Sequence, residues 1–456
     1  MSSASSQILH IAVLAFPFGS HAAPLLSLVE TLAENLPNAR FSFFSTPSSN
    51  SALFKQPNGG RNITPYGVWD GAAEGESLQE REATMRFVAT MPTNYEKAVA
   101  EAEEEIGAKF GCFLTDAFIW FGGDMAADGR GGAPWIALWT AASSTLSLHL
   151  HTDLIRSLAV AAATTNGDEE QPLKAIPGMS AIPIGDVPAE VLAENIYSSF
   201  PGMLYNMSRN IHRANAVVIN SFQELEPTIT NHLKSKLQKV FNIGPMTLLS
   251  SLPPQLTDEH HCIPWLDSIP TPAVYLSFGR VLALPPDEIV AIAEALEAKR
   301  VPFLWSLKQT SMNLLPDGFL DRAKDFGKVV PWAPQVQVLS HPSVGAFVTH
   351  CGWNSILEAV SFGVPVICRP FFGDQKLNSR LVESVWEIGV KVEGGIFTKN
   401  GTIKALDHVL ASDRRKVFRE HVGVLKERAL EAVKPDEGSS TQDFQALLHL
   451  LHNYIT

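Results

Sequence analysis

The sequence predicts an α/β protein with two Rossmann-like, doubly wound domains that face each other across a cleft. Short aliphatic runs alternate with amphipathic helical stretches in both halves of the chain, as in parallel sheets covered by helices. Between the halves, residues 245–262 contain Pro-Pro and Ser-Ser pairs without periodicity, which is typical of a linker. We therefore expect domains at 1–244 and 263–436. The remaining residues, 437–456, are predicted to form a helix that can pack back on the first domain.

Length, composition and charge exclude several functional classes. The chain has 456 residues, too many for one compact core, and a formal net charge of −12. This acidic balance argues against nucleic acid as a partner. No apolar run is long enough to span a bilayer, and no basic region precedes the apolar N-terminal run, so we predict a cytoplasmic protein without membrane insertion. Four scattered cysteines fit buried thiols, and a monomer is the default expectation.

Strands are predicted where aliphatic residues cluster, and helices where apolar residues recur every three or four positions. In the first domain the strands are predicted at 8–16, 40–45, 111–115, 135–139, 216–220 and 241–243, with helices at 24–36 and 93–106. In the second domain the strands are predicted at 273–278, 303–306, 329–331, 344–349 and 364–367. Helices are predicted there at 286–298, 335–340, 355–362, 376–386, 402–410, 415–433 and 441–452.

His21 and Asp116 each follow a predicted strand of the first sheet. Because the carboxyl ends of parallel strands meet at one edge of a sheet, we expect the two side chains to lie close together. A carboxylate that bonds one imidazole nitrogen leaves the other nitrogen to accept a proton, which suits deprotonation of an attacking hydroxyl or phenol. A histidine after a strand is more often structural, so spacing alone leaves both interpretations open.

A second candidate site lies between Trp332 and Gln375. A predicted buried strand runs directly into His350-Cys351-Gly352-Trp353-Asn354-Ser355 and then into a helix. The first N–H groups of a helix lack internal partners, so this junction can bind an anion. Asn354 or Ser355 is expected to cap the helix, with His350 as a further donor. Asp374 and Gln375 follow the next strand and suit sugar hydroxyls. The alternative is an ordinary βαβ unit with a capped helix.

Three motifs of this stretch, WAPQ, HCGWNS and DQ, resemble the signature box of plant UDP-dependent glycosyltransferases. The whole chain most resembles the flavonoid 3-O-glucosyltransferases, through FPFGSHAAPLL, TDAFIWF, INSFQELE and GGIFTK. The resemblance implies a GT-B fold and inverting transfer of a sugar, with glucose favoured, from a UDP-sugar to the 3-hydroxyl of a flavonol or anthocyanidin. It also implies that His21 is the general base and that Asp116 is its partner.

Other functions remain open. UDP-rhamnose or UDP-galactose could be the donor, and another small phenol could be the acceptor. A nucleotide-sugar binding protein that has lost catalysis is an alternative of another class. No D-x-D motif occurs in the chain. Such a motif usually holds the metal ion that binds the diphosphate, and a helix N-terminus can stabilise the leaving diphosphate instead. We therefore predict a reaction without a metal or cofactor, in which the UDP-sugar is a co-substrate.

The resemblance also assigns residues to each substrate. Trp332 would stack on uracil, Glu358 would hold the ribose, and Asp374 and Gln375 would bond the sugar together with Trp353. The full donor set is Thr140, Arg280, Ser306, Trp332, Ala333, Gln335, His350, Gly352, Trp353, Asn354, Ser355, Glu358, Asp374 and Gln375, and the acceptor set is Gly19, Phe118, His149 and Phe372. A buried helix histidine is an equal alternative for His149. Arg280 departs from the family, which usually has a small hydroxyl residue there.

Overall fold

The computed structural model describes residues 8–54, 62–72, 76, 80–128, 132–164, 172–249, 257–270, 272–279, 283–411 and 413–454. These residues form two parallel β-sheets, each flanked by helices. The predicted α/β class with two doubly wound sheets is therefore confirmed. Within this part of the chain, no helix is both long enough and apolar enough to cross a bilayer.

Seven parallel strands build the first sheet: β1 (Leu9–Leu14), β2 (Ala39–Ser45), β3 (Ile63–Gly67), β4 (Cys112–Asp116), β5 (Trp135–Trp139), β6 (Ala216–Ile219) and β7 (Val240–Asn242). Their order across the sheet is β3-β2-β1-β4-β5-β6-β7. Every residue of β4, β5 and β6 is buried, because helices cover both faces of a parallel sheet.

The helices of this half are α1 (Ala22–Asn35), α2 (Pro47–Leu53), α3 (Glu80–Ile106), α4 (Gly122–Ala127), α5 (Ser143–Leu150), α6 (Thr152–Thr164), α7 (Ser199–Asn210), α8 (Pro227–Lys236) and α9 (Met246–Leu249). Helix α1 buries Leu25, Leu28, Val29 and Leu32, the apolar face that the sequence predicts. Helix α3 is longer than predicted, at 27 residues, and contains Pro92.

Six parallel strands build the second sheet: β8 (Ala273–Ser277), β9 (Phe303–Ser306), β10 (Gly327–Val330), β11 (Val344–Thr349), β12 (Val366–Cys368) and β13 (Gly389–Lys391). Their order is β10-β9-β8-β11-β12-β13. The helices are α10 (Cys262–Asp267), α11 (Pro286–Lys299), α12 (Phe319–Ala323), α13 (Gln335–Ser340), α14 (Trp353–Phe362), α15 (Gln375–Arg380), α16 (Lys399–Leu410), α17 (Arg414–Ala432) and α18 (Ser439–His452).

Several elements besides α3 differ from the predictions. Strand β3 was not expected because it contains Pro65, but it lies at the edge of its sheet, where a missing N–H is tolerated. Strand β13 has only three residues, too few to show periodicity. The predicted helix 376–386 ends as an α-helix at Arg380 and continues as a π-helical turn, Leu381–Val385.

Two segments relate to the predicted domain boundaries. The linker segment 245–262 begins with α9 and ends at the first residue of α10, while residues 250–256 lie outside the described part. The last helix, α18, lies against β7 of the first sheet. The carboxylate of Asp443 accepts the backbone N–H of Asn242 at 2.8 Å, and Phe444, Leu447, Leu450 and Leu451 join the core on one face of that sheet. The chain thus returns to its first half.

Candidate active site

The strand order of each sheet reverses at one point, and the candidate site lies at these two reversals. Strands β1 and β4 are neighbours in the first sheet, and β8 and β11 are neighbours in the second. Doubly wound sheets bind ligands beyond the carboxyl ends of their strands at such points. His21 follows β1, Asp116 ends β4 and His350 follows β11. Both crevices therefore carry residues that the sequence singled out.

His21 and Asp116 are hydrogen-bonded, with 2.9 Å between Nδ1 of the imidazole and Oδ2 of the carboxylate. The other carboxylate oxygen accepts the backbone N–H of Phe118 at 2.8 Å. A carboxylate facing Nδ1 holds the proton on that nitrogen and leaves Nε2 as a proton acceptor. The side chain of Asp116 is 1% exposed and that of His21 is 20% exposed. The imidazole is therefore reachable, while its partner is shielded from water.

Thr140 also contacts the imidazole. Its hydroxyl oxygen lies 3.1 Å from Nδ1 of His21, the nitrogen that faces Asp116. The resemblance assigned Thr140 to the sugar, whereas the structure shows that it also helps to orient the base. A hydroxyl oxygen that accepts from Nδ1 keeps its own proton and a second lone pair, so a sugar hydroxyl can bond either.

Aromatic rings surround His21. Its ring centroid lies 4.2 Å from that of Phe118 and 5.4 Å from that of Phe16. Phe118 lies 6.1 Å from Trp139, and Trp139 lies 5.8 Å from His149. Phe118 therefore forms a wall directly beside the base, and His149 lies behind it. A flat aromatic acceptor suits such surroundings, because aromatic rings attract each other at centroid separations like those between these side chains.

His149 is a buried residue of α5, 5% exposed. Burial lowers its pKa to about 4, so the imidazole is neutral at physiological pH. It lines a cavity of about 290 Å³ with residues of α6 and α7, including Asp153 and Tyr205. A neutral imidazole can donate one hydrogen bond and accept another. The burial fits the alternative of a helix histidine, and the acceptor role stays a prediction.

The other two predicted acceptor residues lie on loops. Gly19 has a φ of 64°, in the left-handed region that favours glycine, two positions before His21. Phe372 is 48% exposed and lies two positions before Asp374. Each is thus close along the chain to a residue of the candidate site.

The HCGWNS turn forms a helix N-terminus, as predicted, but the predicted cap is wrong. Helix α14 begins at Trp353, and its N-cap is Gly352, which has no side chain to bond the helix. Asn354 and Ser355 lie in the first turn instead. Cys351, just before the cap, has a φ of 66°, which is uncommon for a residue other than glycine. The backbone N–H groups of this turn are consequently not capped by the residues expected to cap them.

His350 packs between two glycines. A Cβ atom on Gly352 would lie 2.5 Å from Nε2 of His350, and one on Gly279 would lie 3.1 Å from its Cε1. A side chain at Gly352 would displace this ring, and Gly279 has a φ of 73°, in the left-handed region that favours glycine. Burial lowers the pKa of His350 to about 4, so it is neutral and can offer a hydrogen bond but no positive charge.

Gln335 ties together the nucleotide side of the site. Its amide nitrogen donates to Oγ of Ser355 at 3.1 Å and to a carboxylate oxygen of Glu358 at 2.7 Å. Its amide oxygen accepts the hydroxyl of Tyr275 at 3.3 Å. Burial raises the pKa of Glu358 to about 7, and the bond from Gln335 opposes this shift. Both amide protons of Gln335 are thus engaged, and its amide oxygen keeps one lone pair that can accept from a nucleotide.

The predicted sugar residues are also held by protein contacts. The indole N–H of Trp353 donates to the backbone carbonyl of Asn220 at 2.8 Å. Because an indole has one donor, its side chain cannot also bond a sugar hydroxyl, which corrects that part of the expected role. The amide oxygen of Gln375 accepts the N–H groups of Phe371 and Phe372, leaving its amide nitrogen for a ligand.

The remaining donor residues are placed as follows. Ala333 is 4% exposed and Trp332 is half-buried, both at the turn before α13. Ser306 ends β9 at the carboxyl edge of the second sheet. Arg280 lies outside the described residues. Within the described part of the chain, no group of three or more His, Cys, Asp or Glu side chains is placed to hold a metal ion.

Contacts across the cleft were not predicted from the sequence. Besides the Trp353–Asn220 bond, Nε of Arg380 donates to Asp186 at 2.5 Å. Burial raises the pKa of Asp374 to about 6, the hydrogen bond from Asn378 opposes the shift, and the charge of Glu190 adds to it. His21 of the first half lies near Asp374 of the second half. Asn220 lies in the quoted INSFQELE motif and Trp353 in HCGWNS, but neither motif indicated that the two residues meet.

Comparisons with known proteins agree with this geometry. Residues 269–427 match the family model described as UDP-glucoronosyl and UDP-glucosyl transferase. A flavonol 3-O-glucosyltransferase of Actinidia chinensis var. chinensis is 49% identical over 98% of this chain and 97% of its own length. The chain belongs to the plant UDP-dependent glycosyltransferases. An anthocyanidin 3-O-glucosyltransferase of Solanum melongena is 53% identical over 93% of this glycosyltransferase chain and 96% of its own.

A solved structure supports the same membership. The crystal structure of a UDP-glucose: anthocyanidin 3-O-glucosyltransferase in complex with UDP superposes on this glycosyltransferase with a TM-score of 0.89 at 39% identity. The match covers 98% of this chain and 100% of that chain. The two facing sheets are thus the GT-B arrangement that the sequence resemblance implied.

Proposed function

We propose that this glycosyltransferase transfers glucose from UDP-glucose to the 3-hydroxyl of a flavonol or anthocyanidin, with inversion at the anomeric carbon. Relatives that match almost the whole chain carry flavonol or anthocyanidin 3-O-glucosyltransferase names. The single observation that carries the mechanism is the His21–Asp116 pair. It lies at the switch point of the first sheet, and His21 lies near Asp374 of the second half.

The proposed reaction is a displacement. Nε2 of His21 accepts the proton of the acceptor hydroxyl while the oxygen forms a bond to the anomeric carbon. The bond from that carbon to the diphosphate oxygen breaks, and its electron pair leaves with UDP. Asp116 stabilises the imidazolium that forms, because its carboxylate already accepts the Nδ1 proton.

The leaving diphosphate carries the developing negative charge. Helix α14 presents its N-terminal N–H groups at the switch point of the second sheet, and such groups stabilise anions. Neutral His350 adds a hydrogen bond beside them. We propose that Asp374 accepts hydrogen bonds from the sugar and that the amide nitrogen of Gln375 donates one. On the nucleotide side, Glu358 would accept from the ribose.

The acceptor would bind beside Phe118, whose ring centroid lies 4.2 Å from that of His21 and which is 9% exposed. Phe16 and Trp139 are each 2% exposed and pack behind Phe118 as support. A planar polyphenol can stack there while one hydroxyl reaches Nε2. The four cysteines are free and buried, which fits the predicted cytoplasmic location.

One test separates enzyme from binding protein. The chain is mixed with UDP-glucose and quercetin, and UDP release and the anomeric configuration of the product are measured. We expect release of UDP and a β-glucoside at the 3-position. Donor-induced thermal stabilisation without UDP release would favour the non-catalytic alternative.

A second donor has specific support. An anthocyanidin 3-O-galactosyltransferase of Actinidia chinensis var. chinensis is 47% identical over 98% of this chain. Parallel assays with UDP-glucose, UDP-galactose and UDP-rhamnose and one flavonol decide between donors. By resemblance, Gln375 favours glucose, and a higher kcat/KM with UDP-galactose would overturn that preference.

A further inference from the structure

Asn378 joins the sugar side of the candidate site to the diphosphate side. It lies on α15, one helical turn after Asp374, and its side chain is 0% exposed. Its amide nitrogen donates to Oδ2 of Asp374 at 2.8 Å and to the backbone carbonyl of Cys351 at 3.0 Å. An amide nitrogen has two protons, so both are used, one on each partner.

The two partners belong to different functional elements. Asp374 is the carboxylate proposed to hold the sugar. Cys351 lies in the left-handed conformation between β11 and α14, in the turn proposed to face the diphosphate. Because a carboxylate oxygen and a carbonyl oxygen are both acceptors, only a side chain with two donors at this position can bind them together.

The cost of burying Asn378 argues against a purely space-filling role. Among the described residues, its amide oxygen finds no hydrogen-bond donor. A buried polar atom without a partner is unfavourable, and a hydrocarbon side chain would fill the same space without that penalty. The two hydrogen bonds from the nitrogen are thus what this residue contributes. The bond to Asp374 is charge-assisted when the carboxylate is ionised, which makes it the stronger of the two.

We propose that Asn378 is a positioning residue that fixes the Asp374 carboxylate relative to the diphosphate turn. The sugar and the diphosphate of one donor molecule can then contact their two binding elements at the same time. The inference rests on the proposed donor function of this site. It predicts a specific deficit: loss of Asn378 weakens binding of UDP-glucose but not binding of UDP, which lacks the glucose that Asp374 would bond.

The test compares the two ligands. Dissociation constants for UDP-glucose and for UDP are measured by calorimetry on the full chain and on Asn378→Ala. We expect about a tenfold weaker affinity for UDP-glucose, the order of one charge-assisted hydrogen bond, and less than a twofold change for UDP. The matched control is Ser379→Ala, the next residue of α15. It is 1% exposed and its hydroxyl lacks a partner among the described residues, so we expect neither affinity to change.

A double substitution tests whether Asn378 acts through Asp374. In an Asp374→Asn background, adding Asn378→Ala should cause no further loss of UDP-glucose affinity, because residues that act as a unit are not additive. Multiplication of the two separate losses would contradict the proposal. Should Asn378→Ala fail to fold, Asn378→Ser keeps one donor, and an intermediate loss confined to UDP-glucose is expected.

Two outcomes overturn the inference. Equal loss of UDP and UDP-glucose affinity would mean that Asn378 only maintains the fold of the turn, and no loss for either ligand would mean that it positions nothing. Neither outcome depends on the acceptor. A wild-type chain that binds UDP-glucose but glycosylates no flavonol would refute the proposed acceptor while leaving the positioning test valid.

Discussion

The two halves of the candidate site are built differently. In the second half, polar side chains are already bonded to each other: Gln335 to Ser355 and Glu358, and Asn378 to Asp374. In the first half, the polar group of three residues, His21, Asp116 and Thr140, is set among aromatic rings. A network of side chains that are already hydrogen-bonded suits a single ligand with many polar groups, such as a UDP-sugar. Aromatic side chains around one base can accommodate several related planar acceptors. Substitutions in the first half should therefore affect catalysis, and those in the second half should affect donor affinity.

The largest effect is expected from His21→Ala. Removing the proton acceptor should lower kcat about a thousandfold, because a positioned general base contributes roughly a hundred- to ten-thousandfold. UDP affinity should stay within twofold, since the nucleotide contacts lie in the other half. Steady-state kinetics and calorimetry measure the two quantities. A variant with normal turnover, or one that loses UDP binding, would remove the contrast between the halves.

Asp116→Asn should have a smaller effect of the same kind. The amide can accept from Nδ1 or donate to it, so the tautomer with a free Nε2 acceptor is no longer enforced, and the imidazolium loses its counter-charge. We expect about a hundredfold lower kcat with unchanged UDP affinity, measured as above. Retention of the full rate would show that the buried carboxylate is structural only.

The elements that sequence could predict share one physical property. Buried parallel strands need continuous aliphatic runs, so β1, β4, β5, β8 and β11 were recognisable, and with them the places of His21, Asp116 and His350. Strand β3 has three exposed residues, Pro65 among them, so its stability comes from pairing with β2 and not from its own pattern.

The site contacts that were missed depend on tertiary packing. The Trp353–Asn220 bond joins residues 133 positions apart, and no local pattern encodes it. The position of Asn378 opposite Cys351 likewise follows from how α15 docks on the turn before α14. The cap of α14 was mispredicted because Asn354 and Ser355 are good caps in isolation, whereas the helix starts earlier, at Trp353.

Gln335→Leu should change donor affinity and not the chemical step. The substitution removes the hydrogen bond that lowers the pKa of Glu358, which should then rise above about 7 and leave the carboxyl protonated at neutral pH. We expect about tenfold weaker UDP binding at pH 7, recovering partly as pH rises. Calorimetry across pH 6 to 9 measures this. Gln337→Leu, on the same short helix but outside this network, serves as the control and should bind normally.

The smallest effect concerns the pH dependence set by Asp374, whose pKa is about 6. If its ionised form binds the sugar, UDP-glucose affinity should fall as pH drops through 6. Burial is the main cause of this raised pKa, and the hydrogen bond from Asn378 opposes it. Glu190 raises the pKa, so Glu190→Gln should move the acid limb to lower pH by a fraction of a unit. The control Glu194→Gln, at an exposed neighbouring residue, should leave the acid limb where it is. A shift of the acid limb to higher pH in Glu190→Gln would contradict the prediction.

The central claim is that a base in one half serves a donor held by the other. It is tested most directly by a crystal structure with UDP and a flavonol bound. The account predicts the 3-hydroxyl within hydrogen-bond reach, about 2.6–3.2 Å, of Nε2 of His21, with the diphosphate against the N-terminus of α14. A flavonol bound with that hydroxyl turned away from His21, or a diphosphate bound away from α14, would contradict it.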